Sequence, residues 1–278
     1  MCIRDSVKTL SPAAVAALVL VCGVVVALVL VCYLLIFAAS IVRGLGADNS
    51  LSLAHYAHVF SGGLKAVRDT LVIAVIFMPV GGLFAVVLGF LVSRTEFPGR
   101  RTLEFAAMIN YALPGTIVGI AYLVAFNDAP LALTGTAFIL VVCYVFRYSL
   151  AGTRATSAVL AQIDPSIEEA SASLGARRDL TFRRVVLPLV RPALLAGMTV
   201  LFIRAMTAIS ATIFLVSLDW SLVTVRILEG ITNLELGQAS AFSVVVILLV
   251  YLAVAVASLT MRRLNAGSVG QAGALLGG

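Results

Sequence analysis

The chain has 278 residues, 62% of them hydrophobic and only 12% charged, with a formal net charge of +6 and a mean hydropathy of +1.12. Soluble domains hold about half apolar and a quarter charged residues, so a water-solvated globule is excluded and lipid becomes the expected solvent. The basic excess lies in short loops between apolar runs, a placement that sets membrane topology and argues against nucleic-acid binding.

Met1–Ser6 is out of keeping with the apolar chain beyond it and reads as a truncation or sequencing scar. The first apolar run, Ala13–Val42, exceeds the roughly 7–15 residues of a signal core and has no small-residue cleavage site, so it is read as a retained span. About 20 apolar residues cross a bilayer as a helix. Five further runs qualify: Thr70–Val92, Leu103–Phe126, Leu131–Leu150, Pro192–Leu215 and Ala241–Met261. The third of the six is interrupted by Pro114-Gly115, a break that membrane helices tolerate when neighbours or water satisfy the freed backbone groups. Nothing alternates with period two, which argues against a β-barrel. The expectation is an all-α membrane protein of six transmembrane helices.

The segment between the first two spans contains Leu-Ala-His-Tyr-Ala-His-Val-Phe and is expected to lie flat at the interface. Ser217–Ser240 is expected to hold a short helix, because Arg226 and Glu229 stand three apart. The Gly-rich tail after Asn265 is expected to be disordered. Placing the N-terminus inside puts Arg4, Lys8, Arg94, Arg100, Arg101, Arg154, Arg177, Arg178, Arg183, Arg184, Arg191, Arg262 and Arg263 on the inner face. Only Arg43, Lys65, Arg68 and Arg226 then fall outside, so both termini are assigned to the cytoplasm.

The most informative stretch is Ile163–Pro192, a polar insert between greasy segments. Asp164-Pro165 is a helix start, with Asp as cap and Pro at the first helical position. Glu168 and Glu169 sit where the helix dipole favours acids. Ile167, Ala170 and Leu174 form one narrow apolar edge. Gly175 is placed to end the helix with a left-handed residue. A second short helix is expected through Phe182-Arg183-Arg184, stopped by Pro188 and Pro192, which launch the fifth span.

Glu169-Ala170-Ser171, then Gly175 after three residues, Val185 after nine more and Leu187-Pro188 after one more resembles the "EAA" signature of permease subunits in binding-protein-dependent ABC importers. Ser171 replaces the family's second Ala and Val185 its Ile. The resemblance covers roughly Ala66–Arg262. It implies a type I importer permease fold, with a cytoplasmic coupling helix between the fourth and fifth spans seated on an ATPase subunit. The implied coupling residues are Glu168, Glu169, Ala170, Ser171, Leu174, Gly175, Ala176, Leu187 and Pro188. The implied layout is an N-terminal tail over 1–12, a first span over 13–42, an outer interfacial segment over 43–65, a permease core over 66–262 with its coupling loop at 151–191, and a flexible tail over 263–278. Met206–Ser217 is most similar to the C-terminal half of fused permeases for iron(III) uptake. Related halves serve thiamine, phosphonates, polyamines, sulfate or molybdate. The implied partners are cytoplasmic ABC ATPases, an extracytoplasmic binding protein, a second permease half and the lipid bilayer, in a bacterial inner membrane.

Arg204 lies within the fifth apolar run, where a charge is costly and should face protein or water. Gly197, Thr207, Ala208 and Ala211 share its helical face. Arg204, Thr207 and Ser210, with Pro114 and Gly115, are the candidate pathway residues; a structural arginine bonded to carbonyls is the competing reading. Arg147-Tyr148 is read as an inner-interface anchor at the end of the fourth span. His55 and His58 have no acid or Cys partner nearby, and of four cysteines three lie inside apolar runs, so no metal or disulfide is expected. Lys8 and Lys65, the only lysines, follow no phosphate-cradling loop, and no nucleophile–base set is visible. The chain is therefore expected to be a transporter subunit without cofactor or catalytic residues. An ion-coupled carrier is the alternative, disfavoured because Asp69, Glu96, Glu104 and Asp128 fall at span ends or in loops.

Overall fold

The computed structural model describes residues 11–276, with side chains from Ser11 to Met261; the expectations for Met1–Ser6 and the tail as far as residue 10 lie outside it. Helices dominate: α1 (Pro12–Ile41), α2 (Ala54–Ser61), α3 (Leu64–Arg94), α4 (Arg100–Ala112), α5 (Gly115–Phe126), α6 (Ala137–Leu160), α7 (Ser166–Ser173), α8 (Arg178–Thr181), α9 (Leu187–Met206), α10 (Val223–Thr232) and α11 (Leu236–Leu276). Among the described residues, five helical segments are long and apolar enough to cross a membrane, or six if α4 and α5 count as one broken span.

The core is a trio. α3 packs against both α6 and α9, and these two also touch each other. Phe77, Ile73, Tyr144, Leu140 and Leu201 are fully buried there. α11 closes one side against α9, α10 and the end of α1. α1 is apolar all round, and only Ala39 and Ser40 are buried, so lipid is its solvent along almost its whole length. Its end is pinned where Ser40 Oγ meets Tyr56 Oη of α2 at 2.9 Å.

Several boundaries differ from the sequence reading. The segment after α1 forms a small antiparallel hairpin, β1 (Val42–Gly44) and β2 (Asp48–Leu51), before the expected interfacial helix α2; its strands are too short for period-two alternation to register. The third apolar run is two helices at 108°, far sharper than a kink. Pro114 offers no N–H, and Leu113 before it is extended at φ −64° and ψ 141°, as residues preceding proline usually are. α6 begins six residues later and ends ten residues later than Leu131–Leu150. Leu131–Gly135 is used in the turn after α5, and Thr136 caps α6 by accepting the Ile139 N–H at 3.3 Å. Helical backbone also runs to Leu276, through the expected flexible tail; Ala, Leu and Arg in that stretch are good helix formers.

Pro188 and Pro192 do not stop a helix. From Arg178 to Met206 the chain is continuously helical. A single wide turn over Phe182–Val186, in which the Leu187 N–H donates to Phe182 O, precedes Pro188 and absorbs its missing donor. The fifth span instead ends early, at Met206, and residues 207–222 are irregular apart from one 3-10 turn, Thr212–Phe214. The expected helix with Arg226 and Glu229 is α10, and Arg226 Nη1 lies 3.0 Å from Glu229 Oε2. Its first N–H, from Val223, is taken by Thr70 Oγ1 of α3 at 2.9 Å.

Candidate functional site

The polar insert folds into a closed elbow. Asp164 Oδ1 accepts the Ser166 N–H at 2.9 Å and starts α7. This bond, more than anything else, holds the Asp164 carboxyl below the ordinary carboxylate range. At the other end Gly175 has φ +81°, the Gly175 N–H donates to Ala172 O at 2.9 Å and the Ala176 N–H to Ser171 O at 3.1 Å. That pair of bonds is a Schellman closure, which a left-handed glycine permits at low cost. Ser171 Oγ then meets Thr181 Oγ1 at 2.9 Å and ties α7 to α8.

One face of this elbow is glued down. Leu187, Phe182 and Ile163 pack around the buried cluster of Val86, Leu160, Val186 and Val190. The other face is open: Leu174 is 88% exposed, Ile167 is 43% exposed, and Ala170, Glu169 and Gly175 are exposed with them. The apolar edge read from the sequence is thus presented outward, unpartnered within the chain. Glu168, Ser171 and Ala176 are half-buried at its base, and Pro188 is exposed on the helix behind.

Sequence reasoning missed the residue that holds this elbow. Arg94, the last residue of α3, donates through Nη2 to Leu160 O at 2.6 Å and Ile163 O at 2.5 Å. Its Nε lies 3.2 Å from Glu168 Oε1, a charge contact too bent to be a hydrogen bond. The two side chains are only 13% and 21% exposed. Helix ends leave carbonyls that want donors, but the donor comes from 66 residues away, beyond any local pattern.

The candidate pathway residues also converge. A methyl group on Gly115 would strike the Ser210 side chain and come within 3.1 Å of Arg147 Nη2. The break between α4 and α5 therefore touches both the irregular segment after α9 and α6. Arg147 Nη1 donates to Leu113 O at 3.1 Å, a carbonyl freed by that break. Arg147, expected as an interface anchor, stands near the middle of α6 because that helix continues to Leu160. Arg204 occupies the last turn of α9 and is exposed, as are Thr207 and Pro114; Ser210 is half-exposed. Tyr144 Oη of α6 meets Thr212 Oγ1 at 2.7 Å, which sets the irregular segment beside the middle of α6. His55, by contrast, is committed to structure: its Nε2 meets Val42 O at 3.0 Å.

A bundle of apolar helices with a broken span and a projecting polar elbow defines a multi-pass α-helical membrane protein. The chain belongs to the family of binding-protein-dependent transport system inner membrane components, whose model matches residues 81–268. It is 36% identical over 249 residues to the ferric transport system permease protein FbpB of Actinobacillus pleuropneumoniae, covering 88% of this chain and 36% of that one. It is 27% identical over 214 residues to the sulfate transport system permease protein CysT of Salmonella typhimurium, covering 72% and 77%. The fold matches a chain from the crystal structure of a bacterial ABC transporter importing the acidic polysaccharide alginate, with a TM-score of 0.75 at 15% identity over 90% of this chain and 95% of that one. The chain spans about a third of the length of its ferric relative.

Proposed function

We propose that this chain is one half of the membrane pathway of an ATP-driven importer, with α7 as the coupling helix on the cytoplasmic side. The observation that carries this reading is the outward edge of Ile167, Ala170 and Leu174 on a rigidly closed, anchored helix. An 88% exposed leucine at the tip of a polar elbow fits a groove on a soluble partner better than it fits water. The partner is an ABC ATPase subunit, which hydrolyses ATP on its own chain; a binding protein delivers cargo at the opposite face, with both termini of this chain inside. A second permease half, identical, sister or fused, completes a route lined here by Arg204, Thr207, Ser210, Pro114 and Gly115. Closure of two ATPases would push α7, and the Arg94 tie would pass that push into α3 as rigid-body switching.

The cargo is iron(III), supported by the ferric relative. The sulfate relative supports a second reading, a small oxyanion. The coupling claim is tested by co-purification. Leu174→Asp, Glu169→Lys and Gly175→Pro each abolish recovery of the ATPase subunit while the permease stays in the membrane; recovery at the level of the unaltered chain overturns the claim. An ionophore that collapses the proton gradient at constant ATP leaves uptake intact, whereas loss of uptake would mark an ion-coupled carrier.

A further inference from the structure

The distribution of charge singles out the broken-helix region. Residues 70–95, 105–127, 129–163 and 180–218 contain no Asp or Glu, so the stretches that carry Arg147 and Arg204 supply no negative charge of their own. Neither arginine forms a salt bridge among the described residues. Arg147 uses one of its five N–H donors on Leu113 O, its Nε is buried without a partner, and its guanidinium lies 5.8 Å from the Tyr148 ring centre. The Ser210 hydroxyl and Arg147 Nη2 both border Gly115, and α5 begins at this point with no side chain capping its first N–H groups. Irregular backbone at membrane depth is tolerated where it is buried in protein or lines a wet cavity. Broken helices of transporters commonly aim a positive N-terminus at an anionic group there.

We propose that Arg147, Arg204 and Ser210, with the start of α5, form an oxyanion-binding site: a carboxylate, phosphate or sulfate group supplies the counter-charge that this chain lacks. The site rests on the pathway reading above and deepens it. Two unneutralised arginines repel a bare trivalent cation, so iron passing this point does so inside an anionic complex whose outer oxygens the guanidiniums accept. An identical second half brings more of the same charge and, in those same stretches, no acid. The same chemistry admits a free oxyanion, and the experiment separates the two sources.

The test uses the assembled transporter in membrane vesicles, with Cys2, Cys22, Cys32 and Cys143 replaced and Ser210→Cys or Thr207→Cys introduced as a reporter. Retained ATPase co-purification checks assembly. Anionic and cationic methanethiosulfonate reagents of like size then label the reporter. The anionic reagent reacts faster by about tenfold or more, as a confined positive field concentrates counter-ions. Arg147→Gln with Arg204→Gln abolishes or reverses this preference. Sulfate or phosphate alone slows labelling if the site takes free oxyanions; protection by ferric citrate but by neither free anion assigns it to a metal-borne one. Labelling by both reagents at equal rates without protection leaves the pathway standing and overturns the anion site, as expected were an acid of another subunit neutralising the arginines. Labelling by neither reagent at either position overturns the pathway reading itself.

Discussion

Two regions of this molecule place arginine where helices end or break, and they treat the charge in opposite ways. Beneath α7, the charge of Arg94 is compensated: Nη2 donates to two carbonyls and Glu168 stands 3.2 Å from Nε, in a site mostly closed to solvent. At the break between α4 and α5, Arg147 meets one carbonyl and Arg204 no acid at all. The first arrangement is a joint, in which the guanidinium fixes one helix relative to two others. The second keeps its charge uncompensated in a setting where an uncompensated charge is costly. A fold retains such a cost where something outside the chain relieves it.

The largest effect that would sharpen this contrast is at the joint. Arg94→Ala leaves two helix-end carbonyls and the Glu168 charge without a partner. A loss of about 2–4 kcal/mol is expected, read by denaturant unfolding of the detergent-solubilised protein. Arg94→Lys does not fully restore it, because a single ammonium nitrogen cannot stand at once where Nη2 meets the two carbonyls and where Nε faces Glu168. The matched change Arg204→Gln should alter stability by no more than about 0.5 kcal/mol, since no contact of Arg204 holds the fold. If Arg204→Gln proves the more damaging of the two, the assignment of joint and free charge is inverted.

An intermediate effect is expected behind the free charges. Tyr144→Phe removes the buried bond to Thr212 Oγ1 and leaves that hydroxyl, on a fully buried residue, unpaired. The expected cost is about 1–2 kcal/mol, together with faster hydrogen exchange of residues 207–216; unchanged exchange there would show that the irregular segment is held by other contacts. The smallest effect is at the start of α7. The Asp164 carboxyl is held below its ordinary value, first by the Ser166 N–H. Its contribution to α7 is therefore present above its unfolded pKa and disappears as pH falls through the lower folded value. Protection factors of residues 166–173, referred to the intrinsic exchange rate at each pH, should fall a few-fold in acid and in Asp164→Ala at neutral pH, but not in Asp164→Asn, which retains the capping oxygen.

Much of the elbow was legible because its rules are local. An Asp-Pro start, a first turn of acids, an apolar edge at helical spacing and a glycine stop each act within a few residues, and the Asp164 bond and the φ of Gly175 agree with that reading. The spans were legible as runs, but their ends were not. Ala151–Leu160 is polar enough to look like a loop, yet it stays helical, as the Thr153 hydroxyl bonding back to Ser149 O at 3.0 Å illustrates. That shift alone moved Arg147 from a margin to the middle of a helix. The prolines misled for a related reason: Pro188 looked like a stop, and a wide turn over Phe182–Val186 took up its missing donor.

By itself, then, the sequence determined a lipid-solvated bundle of helices, a capped elbow before the fifth span and the absence of acids along the spans, all consequences of composition and short-range hydrogen bonding. Only the tertiary structure decided that Arg94 reaches the end of α6 and Glu168, that the third apolar run folds back at 108°, and that Gly115, Arg147 and Ser210 meet at one point. Those are contacts between segments tens to about a hundred residues apart. They depend on how helices cross and where spans break, which no neighbouring residues specify.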